Sequence, residues 1–286
     1  MRNRTRIPLA AIGLALLTTM VAADQSIDVV TKGDIQFQPL NPLRGDASPK
    51  AGVLWGDIKK DVPTGTLLEF ADGFSSPPHI HNITYRAVVI SGALHNDDPE
   101  AKVAWMEPGS YWTQPAGENH ITAAKAGDKA TAFLEILEGP YLVRPASEEF
   151  DNGERPINLN ARNVVWLDAS DISWVNSTNT LRSESGVEIA FLWEQHEPSE
   201  QNGTFLKLPS GFAGTLRDAG DWMRSVVITG EIQHHVDTAD QELNSLEAGT
   251  YFGSKDKTFN TIKCVGESSC ILYISAIGRY EVGITN

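Results

Sequence analysis

The chain has 286 residues, room for two domains of ordinary size. Its composition, 41% hydrophobic and 21% charged, is that of a globular protein and excludes a disordered or fibrous chain. A formal net charge of −14 repels phosphate backbones and sets nucleic acid aside as a partner.

Arg2, Arg4 and Arg6 open the chain, with no acidic residue before Asp24. An apolar run follows from Ile7 to about Ala22, short of the roughly 20 residues that a membrane span needs. Val21, Ala22 and Ala23 then offer a signal-peptidase site. This pattern predicts a secretory signal over residues 1–23 and a secreted or periplasmic protein without membrane attachment after cleavage; the alternative is an anchor that is never cut. Cleavage would remove three arginines and no acids, moving the net charge to −17.

Beyond the signal, short runs rich in Val, Ile, Leu and aromatics are split by Gly, Pro, Asp and Asn, which predicts strands. Tyr85 to Ser91, Ala101 to Met106 and Ala130 to Leu137 are such runs, and Met223 to Thr229 and Ser269 to Ala276 are their later counterparts. No long segment has helical periodicity. Many short strands argue for an antiparallel sandwich or barrel.

The chain also resembles itself. At an offset of 138, Leu54-Trp55, Gly65-Thr66, Leu68 and Gly73-Phe74 match Leu192-Trp193, Gly203-Thr204, Leu206 and Gly211-Phe212. Arg86, Val88-Val89-Ile90 and Gly92 match Arg224, Val226-Val227-Ile228 and Gly230 in the same way, and Glu107, Gly109 and Tyr111 match Glu247, Gly249 and Tyr251 at an offset of 140. A unit of roughly 130 residues has been duplicated. The polar stretch Arg144 to Arg162, with Pro145, Gly153 and Pro156, reads as the linker, giving units 24–150 and 151–286.

His79 and His81 fall at i and i+2, so on a strand their imidazoles share one face and can share a metal ion. Gly73 precedes His79 by five intervening residues, and Gly92 follows Tyr85 by six. Gly109 is followed after five residues by Pro115, then Gly117, then His120. These segments resemble the paired motifs of the cupin superfamily, with one departure: Tyr85 stands where the family usually has glutamate.

The resemblance implies an all-β protein of two tandem antiparallel jelly-roll barrels. His79, His81 and His120 would converge in the first barrel on one divalent ion, with Fe, Zn, Mn, Ni and Cu all compatible. Two readings of Tyr85 stand open: a hydrogen-bond partner or weak ligand at the metal, and a packing residue at the barrel mouth. Glu135 would supply a carboxylate if it faces inward. Trp105, Trp112 and Gln114 are candidates for lining a small-molecule pocket, and His95 reads as a surface or rim histidine. In the second unit Arg217, Ala219 and Asn260 replace the three histidines, so no metal site is expected there, and the adjacent His234 and His235 would face opposite sides of a strand.

Three-histidine cupins resemble dioxygenases such as acetylacetone dioxygenase, which implies an oxygenase-type enzyme acting on a small oxygenated molecule. The same pattern is similar to the cupin domain of ChrR-type anti-sigma factors, which implies instead a zinc- or ligand-binding sensor without turnover. A third implication is hydrolysis or isomerisation with Glu118 or Glu135 as base. Dimers are frequent in the superfamily, so a homodimer is an expectation by analogy. Finally, Cys264 and Cys270 flank a turn-like Val-Gly-Glu-Ser-Ser stretch and read as one cysteine on each arm of a hairpin, paired in an oxidising compartment or present as two buried thiols.

Overall fold

The computed structural model describes residues 27–172, 185–194, 201–236 and 244–285. The signal expected over 1–23 lies outside them. The fold is all-β, with antiparallel sheets in a jelly-roll arrangement and a few 3-10 turns. Among the described residues no helix is long and apolar enough to cross a membrane.

Two seven-stranded sheets form the body. Edge to edge, the first runs Ile157–Leu159, Tyr111–Gln114, Tyr85–Ser91, Ala130–Ile136, Thr64–Phe70, Lys50–Trp55 and Gln38–Pro39. The second runs Ile27–Val30, Tyr251–Lys255, Trp222–Thr229, Cys270–Ile277, Gln201–Leu208, Glu188–Glu194 and Leu167–Asp168. The second order repeats the first, so the duplication in sequence is a duplication in structure. The edge strands are exchanged: Ile27–Val30, which opens the first unit, borders the second unit's Tyr251–Lys255, and Ile157–Leu159, which opens the second, borders Tyr111–Gln114. Each sheet therefore draws one edge strand from beyond the 150/151 boundary.

This pairing corrects the linker reading of Arg144 to Arg162. Val143–Pro145 is hydrogen-bonded to His79–His81, and Ile157–Leu159 closes an edge of the first sheet. The stretch is polar because its strands lie at sheet edges, where side chains meet solvent. A second correction concerns Ala101 to Met106, which is irregular and pairs with the sheet's backbone at the Leu94–Met106 bridge.

Opposite the large sheets lie smaller ones. In the second half these are five strands in the order Asn244–Glu247, Glu231–Val236, Phe259–Val265, Ala213–Asp218 and Tyr280–Ile284. In the first half, Leu94–Asp97 pairs with Ile121–Ala124 and His79–His81 with Val143–Pro145, joined through bridges at Ser75–Ala123 and His79–His120. Phe259–Val265 and Cys270–Ile277 are thus strands of different sheets, not arms of one hairpin. The structure joins Cys264 to Cys270 by a disulfide that ties the two sheets together at their corner.

Period-2 alternation decides which core each side chain enters. Along Ala130–Ile136, Ala130, Ala132, Leu134 and Ile136 enter the core of the first half with Leu68, Val89 and Trp112. Phe133 points the other way, into a third cluster where the outer faces of the two large sheets meet: Leu67, Val88 and Tyr111 from one, Phe205, Val226 and Tyr273 from the other. Every residue of that strand is buried because both its faces are covered. At this seam Arg86 lies over the Trp193 ring at 4.1 Å, and its repeat equivalent Arg224 over Trp55, the equivalent of Trp193, at 5.2 Å. Such partly desolvated cation–π pairs contribute about 0.5–2 kcal/mol each.

Candidate metal centre

Backbone pairing brings the three histidines together. His79 and His120 form an antiparallel bridge, exchanging N–H···O bonds of 3.0 Å in both directions. His81 lies two residues further along the same strand, on the same face. The turn before His120 is held by the Gly117 N–H, which donates to the His81 carbonyl at 2.8 Å. Gly117 sits at φ +80°, and a Cβ there would stand 2.3 Å from the Phe150 carbonyl oxygen, so the turn admits no side chain.

The ring centroids are 4.3 Å (His79–His120), 5.0 Å (His79–His81) and 5.2 Å (His81–His120) apart, and one ligand atom from each lies within 4.8 Å of the others. With metal–nitrogen bonds of about 2.1 Å, nitrogens in a tetrahedral or octahedral shell stand ~3.0–3.4 Å apart, so small side-chain rotations close the group on an ion.

Hydrogen bonding fixes which nitrogens face the centre. The Nδ1 of His79 lies 2.9 Å from the Pro77 carbonyl, that of His81 3.1 Å from Leu142, and that of His120 3.0 Å from Glu118. A carbonyl only accepts, so each Nδ1 carries the proton and donates. Each Nε2 therefore keeps its lone pair, the arrangement by which protein groups behind a metal ligand set its tautomer and orientation. Burial holds all three rings neutral. It lowers the His79 pKa, and that of His81 falls well below the ordinary value through burial and then the positive potential of His120 and His79. His120 is pulled down to about 3, first by burial and then by His79. Three uncharged nitrogen donors aimed at one point can hold one divalent ion.

Two phenols border the rings. Tyr85 is buried, its hydroxyl donates to Asn96 Oδ1 at 3.0 Å and stands 3.5 Å from His120 Nε2. Tyr141, which the sequence reading missed, stacks on His81 at 4.3 Å and donates its hydroxyl to His81 Nε2 at 3.1 Å. Burial raises the pKa of both, so they are hydrogen-bond donors rather than anions. His79 and His81 open onto a cavity of about 610 Å3 lined chiefly by apolar groups, among them Leu68, Phe70, Phe74, Leu134 and Trp112. Arg44, over the Phe74 ring at 5.2 Å, is its one lining Lys or Arg. The indole N–H of Trp112 is buried beside the Tyr85 hydroxyl.

The other sequence candidates lie elsewhere. Gln114 is buried behind the cavity wall, where it accepts from Asn96 Nδ2 at 2.8 Å and donates to the Glu118 carbonyl at 3.1 Å, so it braces the wall. Trp105 stands against His95 at a separate, smaller cavity, because the irregular segment carrying it turns away from the sheet. Glu135 is fully buried, which corrects the alternatives of an inward or an outward carboxylate: it faces the seam between the halves, where it accepts from the Tyr273 hydroxyl at 2.6 Å. His95 is also buried, not a rim residue. In the second half Asn260 occupies the place of His120 and bonds His234 Nε2 at 2.9 Å, while its pairing partner, where the first half has His79, is Leu216; Arg217, aligned with His79 in sequence, falls one residue out of register on the other face and pairs with Glu281.

The sequence of residues 28–283 matches a family described as a domain of unknown function, DUF4437. No curated protein matches the chain. Its fold is similar to that of a proposed dioxygenase from Nostoc punctiforme, at 13% identity with a TM-score of 0.64, covering 92% of this chain and 88% of that one. It is also similar to Lactobacillus farciminis oxalate decarboxylase in its formate complex (10% identity, TM-score 0.57, coverage 87% and 86%). A third relative in fold is the Bacillus subtilis oxalate decarboxylase with Mn(II) centres (11%, 0.52, 87% and 77%). These likenesses show that the chain shares its fold with these proteins.

Proposed function

We propose that this chain, which belongs to the DUF4437 family, is a metal-dependent oxidoreductase of dioxygenase type acting on a small oxygen-bearing organic molecule. One observation carries the reading: three neutral imidazoles, each pinned through Nδ1 to a backbone carbonyl, converge on one point, and two of them, His79 and His81, line a largely apolar cavity. His79, His81 and His120 would hold the ion, which would supply a Lewis-acidic, redox-capable centre.

The chain's own groups do the rest. Leu68, Phe70, Leu134 and Trp112 exclude water and take up an apolar body. Arg44 attracts an acidic end of the substrate. Tyr85 and Tyr141, their hydroxyl protons directed to Asn96 and His81, wall the site as neutral phenols and add no charge beside the ligands. The fold likeness to a proposed dioxygenase supports the reaction class. Export through residues 1–23, and two barrels of which only the first holds metal, belong to the same reading; they rest on the signal-like opening and on the repeated sheet order.

The test is metal analysis of the purified protein, followed by oxygen uptake with β-diketones and catechol-like compounds. We expect one redox-active ion per chain, substrate-dependent oxygen consumption, and loss of most metal in His79→Ala, His81→Ala and His120→Ala. Tightly bound zinc without oxygen consumption overturns the enzyme in favour of a non-catalytic binding module. Full metal content in His120→Ala overturns the centre itself.

A further inference from the structure

A second cavity, of about 210 Å3, lies on the opposite face of the strand Leu94–Asp97 from the metal centre. On that strand Leu94 and Asn96 face inward, Leu94 into the core and Asn96 towards Tyr85 and Gln114. By alternation His95 and Asp97 face outward, into the smaller cavity, with Trp105, Asn158, Asn160 and Asn163 as further walls.

His95 is 1% exposed. Its Nδ1 accepts the Ala104 backbone N–H at 3.4 Å, which leaves the proton on Nε2, and that donor is buried without a partner. Buried polar groups in folded proteins nearly always have a partner, so a donor left open on a cavity wall marks a place for an acceptor. Asp97 supplies acceptors, one carboxylate oxygen taking the Asn158 amide at 3.2 Å. The exposed Asn163 side chain makes no hydrogen bond among the described residues. Trp105, 37% exposed and edge-on to His95 at 6.3 Å, stands at the mouth.

We propose that this cavity binds one neutral, hydroxyl-rich ring, a monosaccharide. The volume equals about seven waters at ~30 Å3 each, or one molecule of about a dozen non-hydrogen atoms. Hydroxyls both donate and accept, matching the open imidazole N–H, the Asn163 amide and the Asp97 carboxylate, while Asn158 and Asn160 spend their amide donors on Asn96, Asp97 and the Trp105 carbonyl and shape the wall. The Trp105 indole offers an apolar face to the C–H groups of such a ring. The Asp97 carboxylate, on a chain of net charge −14, disfavours carboxylates and phosphates. Asn158 and Asn160 arrive on and just after the exchanged strand Ile157–Leu159, so the site is complete only with that strand in place.

The experiment is isothermal titration of the full-length protein with D-glucose, D-galactose, D-mannose and D-glucuronate. We expect one saturable, millimolar site for at least one neutral sugar and about tenfold or weaker binding of glucuronate. Trp105→Ala and Asn163→Ala, at exposed positions that leave the cores intact, should each weaken binding by about tenfold, while His79→Ala at the metal centre leaves it unchanged. Absence of saturable binding for all three neutral sugars, equal binding of glucuronate, or unaltered affinity in both cavity variants overturns the site. Loss of binding in His79→Ala assigns the sugar to the metal cavity instead and overturns it equally.

Discussion

Replacing Glu135 by alanine tests whether this carboxylate serves the seam or the metal. Its Oε2 accepts the Tyr273 hydroxyl at 2.6 Å, its Oε1 lies 3.4 Å from the Gln201 amide, and Arg86 and Arg224 supply positive potential. Alanine removes the acceptor, leaves the Tyr273 hydroxyl in a dry seam and leaves both guanidiniums without their counter-charge. A hydrogen bond to a charged group contributes about 1.5–3 kcal/mol, and breaking a buried charged cluster costs about 3–5 kcal/mol. We take about 3 kcal/mol at pH 7; at about 2–4 °C per kcal/mol for a chain of this size, Tm falls by roughly 6–12 °C in scanning calorimetry. Metal content of the same sample stays at the wild-type value. Glutamine adds a signed control. Burial raises the Glu135 pKa above its unfolded value, so the stability contributed by its bound proton is present at low pH and is lost as pH rises through the folded-state pKa. Glu135→Gln carries no charge, so its deficit against wild type shrinks as pH rises from the ordinary carboxylate range through the raised folded-state pKa. An unchanged Tm together with lost metal would refute the reasoning and return Glu135 to the site.

Three further outcomes are expected. The folded-state pKa values of His79, His81 and His120 lie below the ordinary histidine value, so the metal-stripped protein loses stability as pH falls from about 6.5 towards 3. At about pH 5, His120 alone accounts for about 2 kcal/mol, and equal urea midpoints at pH 7 and 5 would contradict neutral, buried rings. Arg44→Ala should raise KM for acid-bearing substrates by about 10–100-fold while neutral analogues are unaffected, as steady-state kinetics would register. Reduction of the Cys264–Cys270 bond, which closes a short loop, should cost about 2 kcal/mol and lower Tm by roughly 4–8 °C without releasing metal; equal loss of metal on reduction would argue against a site confined to the first half.

Much of the centre was legible because its geometry is local. The i and i+2 spacing of His79 and His81 fixes a shared face, and Gly117 fixes the turn that returns His120 to it. Tyr141 carried no comparable signal: it reaches His81 only because Val143–Pro145 pairs with His79–His81, a contact spanning some sixty residues. Glu135 was partly legible. Its neighbours Leu134 and Ile136 assign it to the face opposite the first core, but the burial of that opposite face depends on the second half. Trp105 was misplaced because Ala101 to Met106 has strand-like composition without a strand's partner, and alternation has no meaning off a sheet.

The repeat itself separates two kinds of requirement. A seam between two copies of one unit needs matching groups from both, and there the equivalent positions remain alike: Arg86 with Arg224, Trp55 with Trp193, Tyr111 with Tyr251, each pair contributing to the same buried contact. Glu135 and its equivalent Ser275 differ, and the carboxylate is satisfied there by the hydroxyl of Tyr273, which stands where the first half has Phe133. A metal site needs only one copy. Aligned in sequence, His79, His81 and His120 become Arg217, Ala219 and Asn260, with Leu216 rather than Arg217 paired to Asn260, and the second half closes over with partners of its own, Arg217 to Glu281 and Asn260 to His234. Restoring three histidines there would break both of these pairs, so recovery of a second metal site by those substitutions alone should fail. One bound ion per chain, in wild type and in such a triple variant alike, is the stoichiometry this division of labour requires.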